Sequence, residues 1–222
     1  MRFIIIIFFF IFFAPASTDA YVPVLVSQKS LIDFDIISDP TLAQTFYGEL
    51  NNFPHTYEFI VTQSLNFVVD VRVPDLEKST NNISAIIIKK PVSGGRVKEI
   101  TRMLAKEAKW TVVRDFKSGD LYREGSHYEA ELEPGVYRLE VHSPNNIEKY
   151  ILKIGTREEM AFGYIETVKN LVAVKQFFNK SRLRIVESPY VYIPLLVIIA
   201  GGGALSIWFK RRRNILDQNG IL

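Results

Sequence analysis

The chain has 222 residues, of which 48% are hydrophobic, with a formal net charge of +3 and no cysteine. The positive excess lies entirely after residue 209, because residues 21–189 hold equal numbers of basic and acidic side chains. Composition therefore gives no support to nucleic-acid binding. The absence of cysteine excludes disulfides, thiol catalysis and thiolate metal sites within this chain.

The first predicted element is a secretory signal over residues 1–20. Residues 3–13 form an apolar run that is too short to span a bilayer, and small residues follow it. This length is typical of the apolar segment of a signal peptide. Cleavage after Ala16 and cleavage after Ala20 both fit the sequence, and an uncleaved N-terminal anchor is the alternative.

An antiparallel, jelly-roll-like β-sandwich is predicted over residues 45–155, after a linker or edge strand over residues 21–44. Runs rich in β-branched and aromatic residues alternate with turn formers throughout the longer range, which is typical of a sandwich. The predicted strands are 57–62, 65–73, 83–88, 110–113, 121–122, 127–132, 136–141 and 150–154.

Two details of this region carry specific expectations. In the strand 136–141, Tyr137, Leu139 and Val141 alternate with polar residues, so that one face is expected to be wet. Residues 97–108 place apolar side chains at helical spacing. There we predict a short helix or an irregular excursion, although a strand fits 99–103 nearly as well.

Four short motifs resemble the bacterial pre-peptidase C-terminal type of β-sandwich. They are Gly48-Glu-Leu50, Tyr57-Glu-Phe59, Pro134-Gly-Val-Tyr137 and Tyr150-Ile-Leu152. The resemblance covers about half of the chain and implies a non-catalytic accessory domain at the cell surface. Some members of that family bind calcium, but no matching acidic loop occurs here, so the resemblance supplies no ligand or cofactor.

The order of signal, sandwich, amphipathic segment, single span and basic tail also resembles the GOLD-domain cargo receptors of the secretory pathway. Those proteins usually carry a disulfide in the sandwich, which this chain cannot form. A cargo receptor of this type is therefore the alternative interpretation.

An amphipathic juxtamembrane helix is predicted over residues 156–189. On a 100° wheel its apolar stripe consists of Ala161, Tyr164, Ile165, Val168, Leu171, Val172 and Phe178. Lys175 falls inside the stripe, whereas Val174 and Phe177 fall outside it. We expect such a helix to rest on the membrane or to pack on the sandwich, in preference to pairing in a coiled coil.

A transmembrane helix is predicted over residues 190–209, which contain no charge. A helix of that length covers about 30 Å, the thickness of the hydrocarbon core of a bilayer. The basic cluster that follows predicts a cytoplasmic tail over residues 210–222 and a type I, single-pass protein of the cell membrane. This orientation anchor consists of Lys210, Arg211, Arg212 and Arg213.

Small residues in the predicted span suggest a contact between helices. Ala200, Gly201, Gly202, Gly203 and Ala204 form a flat surface with the small-xxx-small spacing that permits close helix approach. A homo-oligomer formed through this surface is one interpretation, and local flexibility of the helix is the other.

Catalytic and metal-binding motifs are missing from the sequence, and no enzyme activity is predicted. His55, His127 and His142 lack any metal-binding spacing, and no nucleophile elbow or phosphate-binding glycine loop occurs. An enzyme with an unrecognised site is a further alternative.

Basic side chains concentrate in residues 89–117 and acidic ones in residues 118–148. The two groups either pair across neighbouring strands or leave a basic patch for an anionic envelope polymer or headgroup. The candidate patch consists of Lys89, Lys90, Arg96, Lys98, Arg102, Lys106 and Lys109. The sequence as a whole predicts a membrane-anchored, non-catalytic binding or scaffolding module.

Overall fold

The computed structural model describes residues 22–91, 94–158 and 164–218, so the predicted signal over residues 1–20 lies outside the described residues. Eleven strands occur in the described part of the chain. They are β1 (Val22–Leu25), β2 (Asp35–Ile36), β3 (Gln44–Glu49), β4 (His55–Val61), β5 (Leu65–Pro74), β6 (Ser84–Lys90), β7 (Lys98–Met103), β8 (Thr111–Arg114), β9 (Leu121–Leu132), β10 (Gly135–His142) and β11 (Lys149–Ile154).

The strands form two sheets that face each other across one apolar core. The six-stranded sheet has the order β1-β3-β11-β5-β9-β8, and the five-stranded sheet has the order β2-β4-β10-β6-β7. Strands β1 and β2 pair in parallel with β3 and β4, whereas the remaining pairs are antiparallel. The predicted sandwich is confirmed, with the correction that each sheet is mixed.

Two local predictions differ from the structure. Residues 121–122 and 127–132, predicted as separate strands, belong to the single twelve-residue strand β9. The helix favoured for residues 97–108 was wrong, because Lys98–Met103 forms strand β7 and pairs with β6. Pairing with β6 satisfies the backbone of this segment and buries Met103, which outweighs the helical spacing of its apolar residues.

The core is filled by alternate side chains of both sheets. At its centre the ring of Phe59 stacks between Phe67 and Tyr137, with ring centroids 4.8 Å and 5.4 Å apart. The alternation predicted for β10 is confirmed, since Tyr137, Leu139 and Val141 are buried, whereas the polar residues between them are not. Burial of such large rings is the main source of stability in a domain without disulfides.

A helix, Tyr164–Phe177, covers the outer face of the six-stranded sheet. The side chains of Val174 in this helix and of Phe178, the residue just after the helix, pack on the sheet. Their neighbours there are Tyr47, Tyr122 and Ile151. We call it the connecting helix. Of the two positions expected for it, the structure shows packing on the sandwich.

The predicted apolar stripe of this helix is partly wrong. Val174 is buried although the wheel placed it outside the stripe, and Ile165 is exposed although the wheel placed it inside. Ala161 lies outside the described residues. The difference arises because only the C-terminal half of the helix packs on the sheet, and because the buried Lys175 has ionic partners there.

The connecting helix ends at a defined cap. Asn179 adopts a left-handed conformation (φ 56°), and the N–H groups of Asn179 and Lys180 donate to the carbonyls of Gln176 and Lys175. This is the hydrogen-bond pattern of a Schellman motif, which reverses the chain direction within two residues. A 3₁₀ helix, Arg182–Glu187, follows at once.

The last element is the C-terminal helix, Pro189–Gln218. Its segment Pro189–Lys210 is long and apolar enough to span a membrane. Ser188 and Pro189 are buried against the sandwich, whereas no residue from 191 to 210 is buried. The helix therefore starts in contact with the sandwich and then leaves it.

The end of the sandwich from which this helix departs is called the junction end below. The β8–β9 loop lies there, since the Ser188 hydroxyl donates to the carbonyl of Lys117 in that loop (2.5 Å). The antiparallel pairing of the strands places the β1–β2, β3–β4, β5–β6 and β10–β11 loops at the same end. Loops between β4 and β5, β6 and β7, and β9 and β10 lie at the opposite, far end.

Candidate functional site

The seven residues of the predicted basic patch lie along one edge of the five-stranded sheet, but they do not converge. Lys89 and Lys98 are opposite each other at the far end of the β6–β7 pair, and Arg96 precedes them in the loop. Lys106 and Lys109 follow β7 at its other end. A six-residue strand is about 17 Å long, so the cations form two groups with Arg102 between them.

Three of these cations are paired with carboxylates. Lys89 Nζ lies 3.3 Å from Glu133, and Arg102 pairs with Glu99 on its own strand at 2.7 Å. The contact between Lys89 and Glu133 joins the basic segment to the acidic segment that follows it. Pairing across strands therefore accounts for part of the charge pattern.

Lys90 belongs to a cluster on the outer face of the five-stranded sheet. Glu58 accepts hydrogen bonds from Lys90 (2.9 Å) and from Arg138 (2.7 Å). Although burial alone raises the pKa of Glu58, these hydrogen bonds and the two positive charges lower it below its usual range. Ile36 and Ile60, on the same face, are exposed, and no described element covers this face.

The remaining four cations are available to a ligand. Arg96, Lys98, Lys106 and Lys109 are exposed, and no ion pair joins them to another described residue. Exposed cations of this kind attract anions over roughly one Debye length, about 8 Å at physiological salt. Two such groups at the ends of one edge suit an extended polyanion better than a small anion.

The predicted helix-contact surface and orientation anchor lie on the C-terminal helix. A Cβ atom added at Gly202 or Gly203 would meet no atom within 4 Å, so this stretch makes no close contact within the chain. Lys210 ends the segment that is long enough to span a membrane, and Arg211, Arg212 and Arg213 continue the helix beyond it. Self-association through Ala200–Ala204 stays a prediction.

A buried cluster of ion pairs was not predicted from the sequence. Lys175 of the connecting helix and Asp120 of the β8–β9 loop form an ion pair of 3.0 Å, and both side chains are fully buried. Lys180 reaches the same Asp120 oxygen at 2.6 Å. We call this group, with Glu187 and Arg184, the junction ion cluster.

Glu187 extends the cluster into the 3₁₀ helix. Its carboxylate pairs with Lys175 at 2.8 Å and with Arg184 at 2.9 Å. Although burial alone raises the pKa of Glu187, the hydrogen bond from Lys175 and the neighbouring positive charges lower it. The cluster therefore links the sandwich, the connecting helix and the residues just before the C-terminal helix.

The β8–β9 loop fits closely against this region. Gly119 has a left-handed conformation (φ 77°), and a Cβ atom there would lie 2.7 Å from the carbonyl oxygen of Glu187. Only glycine meets both conditions. The N–H of Ser118 donates to the carboxylate of Asp115 (2.8 Å), which closes the loop on itself.

One sequence signal pointed to the cluster. Lys175 fell inside an otherwise apolar stripe, and a lysine that is buried requires a negative partner. The identity of that partner was not readable, because Asp120 lies 55 residues earlier in the chain. Only the fold brings the two side chains together.

Within residues 22–91, 94–158 and 164–218 no group of three His, Asp or Glu side chains could hold a metal ion. His127 pairs with Asp70 at the surface, and His142 lies near Glu140. Both histidines therefore lie beside carboxylates.

His55 is part of a buried polar chain in the core. Its Nδ1 atom shares a hydrogen bond with the Tyr150 hydroxyl (2.8 Å), which in turn contacts the Tyr57 hydroxyl at 2.5 Å. Its Nε2 atom is buried and has no hydrogen-bond partner among the described residues. Burial lowers the pKa of His55, although the charge of Asp35 raises it in part.

This environment predicts a dependence of stability on pH. Above pH 6.5, the ordinary value for histidine, His55 is neutral in both the folded and the unfolded chain. As the pH falls below that value, the unfolded chain binds a proton more readily, so the free energy of unfolding decreases. Denaturant unfolding at pH 7.5 and pH 5.5 should show a smaller decrease for His55→Gln than for the wild type. An equal decrease in both would contradict this assignment.

Comparison with known proteins gives similarities of fold alone. No family model and no curated protein matches the chain. Among solved structures, the pre-peptidase C-terminal domain of a Bacillus anthracis collagenase aligns with 57% of this chain and 98% of its own, at 15% identity and a TM-score of 0.35. The Aeromonas hydrophila protein PliG, a periplasmic inhibitor of g-type lysozyme, aligns with 63% of this chain and 100% of its own, at 13% identity and a TM-score of 0.33.

A third similarity is to the TNF protein Eiger from S. frugiperda. It covers 46% of this chain and 66% of that one, at 13% identity and a TM-score of 0.24. Similarities at this level assign neither a family nor an activity to the chain. The description of the fold therefore depends on the strand order and pairing given above.

Proposed function

We propose that the chain is a single-pass membrane protein whose β-sandwich is a non-catalytic binding or scaffolding module outside the cytoplasm. The observation that supports this best is the junction ion cluster, which joins the sandwich to the start of an apolar helix of membrane-spanning length. A buried pair fixes relative position, because separating its charges is costly. The sandwich is then held in a fixed orientation relative to the membrane.

The orientation follows from charge. Lys210 and the three arginines after it are expected to stay on the cytoplasmic side, because the positive-inside rule opposes their translocation. The opposite end of the helix, with the sandwich, then lies outside. The predicted signal over residues 1–20 agrees with export of the sandwich.

Cysteine labelling in intact cells tests this orientation, and the cysteine-free chain gives no background. Val97→Cys places a thiol at the far end of the sandwich, where the native side chain is 57% exposed. Asn214→Cys places one in the tail. A membrane-impermeant maleimide should label the first variant in intact cells and the second only after lysis. The reverse pattern would refute the proposed function.

For the ligand, we propose an anionic polymer bound along the β7 edge by the exposed cations. Lys98→Glu, Lys106→Glu and Lys109→Glu together should weaken salt-sensitive binding to a sulfated polysaccharide by about tenfold or more, since each cation near an anionic surface contributes about 1 kcal/mol. The measurement is retention of the full chain in nanodiscs on an immobilised polymer.

A matched control variant has the same change of net charge, but the substituted lysines lie outside the β7 edge. Lys29, Lys78 and Lys169 are exposed lysines outside strand β7 and its flanking loops, and the variant that replaces all three with glutamate should retain binding. Equal loss in both variants would show that overall charge determines binding, and unchanged binding in the first variant would remove the β7 edge as the site.

A further inference from the structure

Large apolar side chains are exposed at the junction end on four separate segments. They are Leu31 and Ile32 in the β1–β2 loop, Phe116 in the β8–β9 loop, Ile147 in the β10–β11 loop, and Leu183 and Val186 in the 3₁₀ helix. Their exposed fractions range from 51% to 86%. We call this set the apolar rim.

The β1–β2 loop holds its apolar tip outward by hydrogen bonds behind it. The carboxylate of Asp33 accepts hydrogen bonds from the backbone N–H groups of Lys29 (2.8 Å) and Ser30 (3.1 Å), and these bonds close a tight turn. Gln28 exchanges hydrogen bonds with the backbone of Thr56 on β4. The turn is thus fixed to the sandwich while Leu31 and Ile32 project from it.

Phe116 connects this rim to the start of the membrane-spanning segment. It precedes Lys117, whose carbonyl accepts the hydroxyl of Ser188, the residue before the C-terminal helix. Tyr190 and Tyr192 follow in the first turn of that helix, and tyrosine is enriched at the interface between lipid and water. The tip of the β8–β9 loop is therefore next to the start of the segment that is long and apolar enough to span a membrane.

The 3₁₀ helix adds apolar and basic groups beside this point. Leu183 and Val186 are three residues apart and so lie on the same side of a 3₁₀ helix. Arg182 and Arg184 are exposed on the same short element, although Arg184 also pairs with Glu187. Apolar tips next to cations are typical of surfaces that insert into the headgroup region.

We propose that the apolar rim inserts into the interfacial layer of the same membrane that the C-terminal helix spans. The inference depends on the proposed membrane anchoring, which brings this end of the sandwich to the lipid surface. A bilayer fits better than a protein partner, because the rim consists of separate loop tips spread over the end of the sandwich from which the helix departs. Insertion removes the apolar surface of each tip from water, which favours the inserted position.

Spin labels on single cysteines test the inference in the full chain in phosphatidylcholine nanodiscs. The test positions are Ile32→Cys and Phe116→Cys. Val97→Cys at the far end is a water-exposed control, and Ile198→Cys is a lipid-exposed control, with native exposures of 57% and 58%. Collisions of each label with oxygen, which partitions into lipid, are compared with collisions with a water-soluble nickel chelate.

The labels at positions 32 and 116 should collide more often with oxygen than with the chelate, as the label at 198 does. The label at position 97 should collide more often with the chelate. If both rim labels resemble position 97 while position 198 lies in lipid, the inference is wrong and the anchoring is right. If position 198 also favours the chelate, the proposed membrane anchoring itself fails. Rim labels shielded from both reagents would indicate a protein contact and overturn the inference.

Discussion

Asp120→Asn is expected to lower the free energy of unfolding by about 3–5 kcal/mol. The substitution keeps the size of the side chain but removes the negative charge that lies 3.0 Å from Lys175 and 2.6 Å from Lys180. Lys175 is fully buried, so its ammonium group cannot recover solvation from water and keeps Glu187 as its remaining carboxylate partner. The measurement is guanidinium unfolding of the full chain in detergent micelles, followed by circular dichroism.

A second variant separates the effect of the pair from the effect of either residue. Asp120→Asn combined with Lys175→Met removes both charges, and its loss should be smaller than the sum of the two single losses. An exposed pair gives the control: Glu99→Gln breaks the contact with Arg102, and its effect on stability should be much smaller, because water solvates both charges. An equally small loss for Asp120→Asn would show that the cluster does not stabilise the junction.

Phe59→Ala is expected to destabilise the sandwich by about 3–5 kcal/mol. The ring stacks on both Phe67 and Tyr137 at the centre of the core, and only 1% of its surface is exposed. Its removal leaves a cavity between the two sheets, because neither neighbouring ring can fill the space without moving its strand. The same unfolding experiment measures the loss.

The next residue on the strand provides a matched control. Ile60 points to the opposite face of β4 and is 64% exposed, so that Ile60→Ala should change the free energy of unfolding by less than about 0.5 kcal/mol. Similar losses for both variants would contradict the assignment of the two faces. A normal stability of Phe59→Ala would contradict the location of the core.

The sandwich core was predictable because its signal is local. In β10 the apolar residues Tyr137, Leu139 and Val141 recur at every second position, which is the period of a strand. The apolar C-terminal segment was equally readable, since length and the absence of charge are sufficient. In both cases the pattern lies within one segment.

The remaining features depend on contacts between distant segments. Lys98–Met103 became a strand because β6 offered an unpaired edge, and the spacing of its own residues did not show that. The basic patch divides into two groups because strand β7 separates its members. The partner of Lys175 and the convergence of the apolar rim at one end both follow from topology.

We infer that the junction ion cluster holds the sandwich and the C-terminal helix together as one rigid unit. Double electron–electron resonance in nanodiscs tests this rigidity with one spin label at Val112→Cys on β8 and one at Leu196→Cys on the helix. Both native side chains are exposed, so that labels at these positions do not disturb the core. We expect a distance distribution as narrow as that between two labels within the sandwich, and a broader one when Asp120→Asn is added. A broad distribution without that substitution would contradict it.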